Sequence, residues 1–111
     1  MRIDVIGKHL TITDAIRGHA EQKAVKLPKH YDMVQLITFR LEELPHKKGF
    51  TCEVVVDVEK HDDFVASSQH ADLYTAIDHA VEKASRQLTD FKEQLKQGKR
   101  GATSAGGEAG L

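Results

Sequence analysis

The sequence predicts an α+β domain in which a four-stranded sheet carries two helices on one face, in the order β-α-β-β-β-α. Three observations predict it. Two stretches repeat apolar residues every three or four positions, the spacing of a helix that buries one stripe. Four others alternate apolar with polar residues, the period of a strand with one covered face. Each strand then hides one face and each helix one stripe, which a two-layer arrangement satisfies if both helices lie on the same side of the sheet. A chain of 111 residues with 40% hydrophobic side chains and no Trp supplies one small core, with little room for an enclosed cofactor or a deep catalytic cleft.

The first strand is RIDVIG, residues 2 to 7, with Ile3, Val5 and Gly7 on one face and Ile6 on the other. Thr11 or Thr13 then offers a hydroxyl to the free N–H groups that open the first helix, and Asp14 suits its positive end. Ile16, Ala20, Ala24 and Leu27 form the stripe of that helix, and Pro28 ends it because proline supplies no N–H. Gly18 costs about 1 kcal/mol relative to Ala inside a helix, so close packing or local softness is expected there.

Residues 33 to 43 place Ile37, Phe39 and Leu41 on one face and Thr38, Arg40 and Glu42 on the other. A polar turn from Leu44 to Gly49 leads into FTCEVVVDVE, where Phe50, Cys52, Val54, Val56 and Val58 point inward and Thr51, Glu53, Asp57 and Glu59 outward. Val55 breaks the alternation. A second turn, KHDD, leads into DFVASSQ, the third member of an antiparallel meander. The long helix spans Asp72 to Gln97 with a stripe of Leu73, Ile77, Ala80, Ala84, Leu88, Phe91 and Leu95. From Gly98 to Leu111 there are five glycines and one large apolar side chain, too little burial to offset the entropy of ordering. The expected division is a domain over residues 1 to 97 and a disordered Gly/Ala-rich tail over 98 to 111.

Composition excludes several classes of function. No run approaches the roughly 20 apolar residues that cross a bilayer, and the N-terminus lacks the apolar segment of a signal peptide, so a cytoplasmic protein without a membrane partner is expected. Cys52 is the only cysteine; lying in an apolar alternating run, it reads as core filling rather than a nucleophile. The seven histidines are scattered, none paired at the spacing that puts two imidazoles on one helix face, so no metal and no cofactor is expected. The carboxylate pairs Glu42/Glu43 and Asp62/Asp63 sit on turns or strand ends, without the dry pocket that acid–base catalysis needs. The glycines form no phosphate loop between a strand and a helix. An enzyme is not expected.

Sixteen Lys and Arg against seventeen Asp and Glu give a net charge of −1, where a nucleic-acid-binding domain usually shows a basic excess. The distribution is uneven. From Glu42 to Asp63 seven acids face three bases, a balance of −4, which leaves +3 for the rest of the chain. The open sheet face should carry the acids Glu53, Asp57 and Glu59, and the helices the cations. Those cations are Arg17, Lys23 and Lys26 on the first helix and Lys83, Arg86, Lys92 and Lys96 on the second, with His79 a titratable donor beside them. Asp14, Glu21, Asp78, Glu82, Asp90 and Glu93 share the same helices. Only Tyr31 and Tyr74 offer aromatic rings outside the apolar pattern, so reading of single-stranded bases is disfavoured. Backbone contact with structured RNA remains.

These residues carry a resemblance. The pattern D-L-Y-x-A-I-D from Asp72 to Asp78, followed by R-Q-L at Arg86 to Leu88 and K-x-x-L-K at Lys92 to Lys96, resembles the ribosome hibernation promoting factors, also called ribosome-associated inhibitors. T-D-A-I-R at Thr13 to Arg17 and K-x-x-K-L at Lys23 to Leu27 support it, over residues 2 to 97 in the same element order. The resemblance implies a domain that binds the small ribosomal subunit in the channel of messenger and transfer RNA and blocks translation under stress. It implies contacts with ribosomal RNA from Arg17, Lys23, Lys26, Lys83, Arg86, Lys92 and Lys96. The chain resembles the short type, monomeric off the ribosome, which pairs ribosomes with a separate dimerising factor or stabilises single ones. Asp90, Glu93 and His79 depart from the family pattern and imply weaker or more salt-sensitive binding. The other readings are a protein-protein adaptor working through the acidic sheet face or an exposed strand edge, and a diverged module that binds another structured RNA with the same fold.

Overall fold

A computed structural model describes residues 1–99, with side chains to Lys96. Its elements are β1 (Arg2–Lys8), α1 (Asp14–Ala24), β2 (Val34–Glu43), β3 (Phe50–Val58), β4 (Phe64–His70) and α2 (Leu73–Lys99), with short 3-10 turns at Leu27–Lys29 and Pro45–Lys47. The sheet order is β1-β2-β3-β4. β1 and β2 run parallel, joined across the sheet by α1, while β2, β3 and β4 form the expected antiparallel meander.

Register explains the core. Val5, Phe39, Val54 and Ala66 stand in one row across the four strands, and Ile3, Ile37, Val56 and Phe64 in the next. Because side chains alternate along a strand, both rows face the same way. Ile16, Ala20 and Ala24 of α1 and Leu73, Ala76, Ile77, Ala80, Val81, Ala84 and Leu88 of α2 bury themselves on that face. The alanines leave room for α2 to lie close to β3 and β4, and Leu27 and Leu88 are both fully buried in the same core. Gly7 is required where the chain leaves β1, since a Cβ there would stand 2.3 Å from the carbonyl oxygen of Leu10. Gly49 has φ +104 and lies against the carbonyl of His70, joining the β2–β3 turn to the start of α2.

Some expectations are narrowed and others change. The hydroxyl that opens α1 is that of Thr13, which accepts from the Ile16 N–H at 3.2 Å. Regular α-helix ends at Ala24, before Pro28, which sits inside the 3-10 turn. Gly18 is exposed, with nothing within 4 Å of a Cβ placed there, so close packing does not account for it. The apolar stripe of α2 is buried through Leu88, but Leu95 is 42% exposed. α2 continues through Lys99, past the expected boundary at Gln97; the tail expected over 98–111 otherwise lies outside the described residues.

The open sheet face is not simply acidic. Register places Arg40 beside Glu53 and opposite Ile6, and Lys8 beside Glu42. Arg40 approaches Glu53 at 3.6 Å, and Ile6 and Val65 are about half exposed on the same face. Acids sort to the middle of the sequence, but pairing across strands interleaves them with cations that come from β1 and β2.

Candidate nucleic-acid interface

The motif at the start of α2 has a structural job at nearly every position. Asp72 Oδ2 accepts from the Thr75 N–H at 2.9 Å and from its hydroxyl at 2.7 Å, the bonds of an N-cap. The Thr75 hydroxyl, then its backbone N–H, holds the Asp72 carboxyl below its ordinary value. The Asp72 N–H itself donates to His70 Nδ1 at 3.0 Å, closing the corner out of β4. Leu73, Ala76 and Ile77 enter the core. Tyr74 meets the His19 ring edge-on at 4.9 Å.

Asp78 ends the motif and joins the helices. Its Oδ1 lies 2.7 Å from His19 Nε2 and 3.8 Å from Lys23 Nζ. Beyond this joint a groove of about 310 Å³ runs between α1 and α2, with Lys23, Lys26 and His30 on one wall and Asp78, Glu82 and Ser85 on the other. Thus α1 and the segment after it supply the cations of the groove, and α2 its acids. His19 and His30 were not among the candidates; the only sequence signal was the position of His19 one helical turn before Lys23.

The eight candidates do not form one band. Lys23 and Lys26 line the groove. Arg17 is exposed, and at about 100° per residue it falls on the flank of α1 away from His19 and Lys23. Lys83 and His79 lie on the β4 side of α2. There the Lys83 amine donates to the Ser67 carbonyl at 2.9 Å, and the His79 ring stands edge-on to His70 at 5.8 Å. Arg86 is exposed on the solvent side. Lys92 and Lys96 are exposed on the last turns of α2, and helical spacing puts them on the flank that faces the groove. The cations therefore surround α2 on three sides, interrupted by Glu82, Asp90 and Glu93.

Gln87 Nε2 donates to the Val65 carbonyl at 3.0 Å, just as Lys83 reaches Ser67. Together they occupy two outward carbonyls of β4, the edge an incoming strand would use. Cys52 is buried in the sheet, and burial, then the neighbouring Glu53 charge, pushes its thiol up to about 12, which removes the thiolate that nucleophilic chemistry requires. Among the described residues no three His, Cys, Asp or Glu side chains converge as a metal site, and no helix is long and apolar enough to cross a membrane.

A mixed four-stranded sheet with two helices on one face, cationic around the longer helix, defines the class: a small α+β domain with a charged helical side. A family model described as "Sigma 54 modulation protein / S30EA ribosomal protein" matches residues 3–96. The ribosome hibernation promoting factor of Azotobacter vinelandii is 33% identical over 109 residues, covering 94% of this chain and 97% of that protein. That of Escherichia coli K12 is 30% identical over 99 residues, covering 87% and 99%. The crystal structure of the Thermus thermophilus Protein Y N-terminal domain superposes with a TM-score of 0.73 at 33% identity, covering 82% of this chain and 99% of that one. A ribosomal subunit interface protein from Coxiella burnetii shares the fold, with a TM-score of 0.75 at 22% identity, covering 84% and 99%. The chain belongs to the sigma 54 modulation protein / S30EA ribosomal protein family, and it spans nearly the whole length of the hibernation promoting factors it matches.

Proposed function

We propose that the chain is a non-enzymatic translation inhibitor of the cytoplasm that binds the small ribosomal subunit in the messenger and transfer RNA channel and holds ribosomes in hibernation. The observation that carries this reading is end-to-end similarity to hibernation promoting factors, covering 97% and 99% of two of them. Contact is with the phosphates of folded ribosomal RNA. Lys23 and Lys26 act from the groove, Lys92 and Lys96 from the same flank farther along, and Arg17, Arg86, His79 and Lys83 from the other sides. Lys83 has two further donors beyond the one held by Ser67, so it serves both the sheet edge and an anion. The chain is monomeric off the ribosome, and pairing of ribosomes, where it occurs, is the work of a separate dimerising factor.

Co-sedimentation with ribosomes at two salt concentrations tests this. Each phosphate contact contributes roughly 0.7 to 0.9 to the log-log salt slope. Replacing Lys23, Lys26, Lys92 and Lys96 by Ala should lower the slope by about 3 on the same rule. Absence of association at low salt refutes the reading. The adaptor alternative loses support at β4, because Lys83 and Gln87 already occupy carbonyls that β-augmentation needs.

A further inference from the structure

α2 outruns the sheet it covers. Lys83 reaches the Ser67 carbonyl, Gln87 that of Val65, and Phe91 packs at 5.2 Å on Phe64, the first residue of β4. The helix thus runs antiparallel to β4 and reaches its end at Phe91. Residues 92–99 extend about 12 Å farther at the usual helical rise. Leu95, on the stripe that is buried up to Leu88, is left 42% exposed.

Next to this overhang is a second cluster that the RNA reading does not use. His61 lies flat on Phe64, with centroids 4.7 Å apart and planes 3° apart, and 4.4 Å from Phe91. Its Nδ1 donates to the Asp62 carbonyl, fixing the ring on the turn. Tyr31 meets Phe91 edge-on from the other side at 5.4 Å. The rings adjoin a pocket of about 360 Å³ lined by His61, Phe64, Gln87, Asp90, Phe91 and Gln94. Asp90 borders it, and Asp62 and Asp63 are exposed on the turn that carries His61.

An aromatic pocket wall with carboxylates beside it suits an arginine: the rings pack on its aliphatic stem and the acids take its charge. A phosphate backbone meets the opposite, since Asp62, Asp63 and Asp90 would repel it. We propose that this end of the domain docks a basic protein segment, with an arginine in the pocket and a neighbouring aliphatic side chain on Leu95. The pocket shares no residue with the groove between the helices, while Leu95 stands beside Lys92 and Lys96 on the overhang; the test does not involve the ribosome.

The test is fluorescence anisotropy of the full chain with a labelled nonapeptide of repeated Arg-Leu-Arg, and with the same peptide carrying Glu for Arg. The Arg peptide should bind and the Glu peptide should not. The triple variant D62N/D63N/D90N should weaken binding at least about tenfold, the scale of one charge-assisted contact. Leu95→Ser, at an exposed site, should weaken it about threefold while the circular dichroism spectrum stays unchanged. Glu82→Gln, an acid of the groove, should leave it unaltered. Equal binding by the triple variant, or equal weakening by Glu82→Gln, overturns the proposal. So does concentration-dependent self-association abolished by Leu95→Ser, which would give the surface to a second copy. Binding of an unstructured RNA oligonucleotide that is lost in Phe91→Ala would give it to nucleobases and overturn the proposal equally.

Discussion

Asp78→Ala should loosen the joint between the helices and measurably destabilise the domain. The wild-type carboxylate lies 2.7 Å from His19 Nε2 and 3.8 Å from Lys23 Nζ, with the His19 and Asp78 side chains 23% and 41% exposed. A hydrogen bond to a charged group contributes about 1.5–3 kcal/mol when sheltered. Partial exposure brings this toward the value of surface pairs, and the Lys23 contact is long, so the expected loss is about 1 kcal/mol. With an m-value near 1 kcal/mol/M for a domain of this size, the urea midpoint should fall by about 1 M at unchanged m. Asp78→Asn keeps an oxygen that can accept from His19 and should lose about half as much. A double-mutant cycle with His19→Ala isolates the pair. Additive losses, with no coupling between the two sites, would refute the assignment of Asp78 as the joint. The same substitution releases Lys23 from its only nearby acid among the described ion pairs, so ribosome association at low salt should strengthen as stability falls.

Gly18→Ala should raise stability by about 0.5–1 kcal/mol, read as a higher melting temperature, because the site is exposed and a Cβ meets nothing there. Cys52 should resist thiol reagents at neutral pH in the folded protein, since burial raises its thiol to about 12; labelling faster than global unfolding would contradict its burial. The Asp72 carboxyl titrates below its ordinary value of 3.8 in the folded chain, so its contribution is complete above that value and is lost as pH falls through the folded one. Asp72→Asn should therefore flatten the acid limb of the stability curve below about pH 4, and an unchanged limb would contradict the cap.

Much of the fold was legible because alternation and helical spacing report burial directly. Phe39, Val54 and Val56 were placed inward by period alone and are fully buried. At Gly18 only the close-packing half of the expectation fails, because propensity names a cost and not its cause. The open face misled for a different reason: charge counted along the chain ignores register, and register is what sets Arg40 beside Glu53. The site was half legible. Spacing gives the angular position of Lys23 or Lys83 on its own helix, but not which neighbour lies on that side. Only the placement of α1 against α2 sends Lys23 into a groove, and only β4 gives Lys83 a carbonyl. The D-L-Y-x-A-I-D stretch holds the cap, the core contact and the joint, so its part in this chain is architectural more than electrostatic. Leu95 was expected in the stripe because periodicity carries no record of where the sheet beneath it stops.

The order of elements also has a bearing on how the domain is made. Seven of the buried apolar residues, from Leu73 to Leu88, belong to the last described element, and they are the cover of β3 and β4. A chain emerging from its amino end presents the strands of the meander, with Phe39, Val54 and Val56 of the two central rows still short of α2, before that cover exists. At roughly 5–20 residues per second, α2 follows within a few seconds. Without that cover the sheet is the aggregation-prone species, and a chain truncated before Leu73 should be insoluble under conditions that keep the full chain in solution.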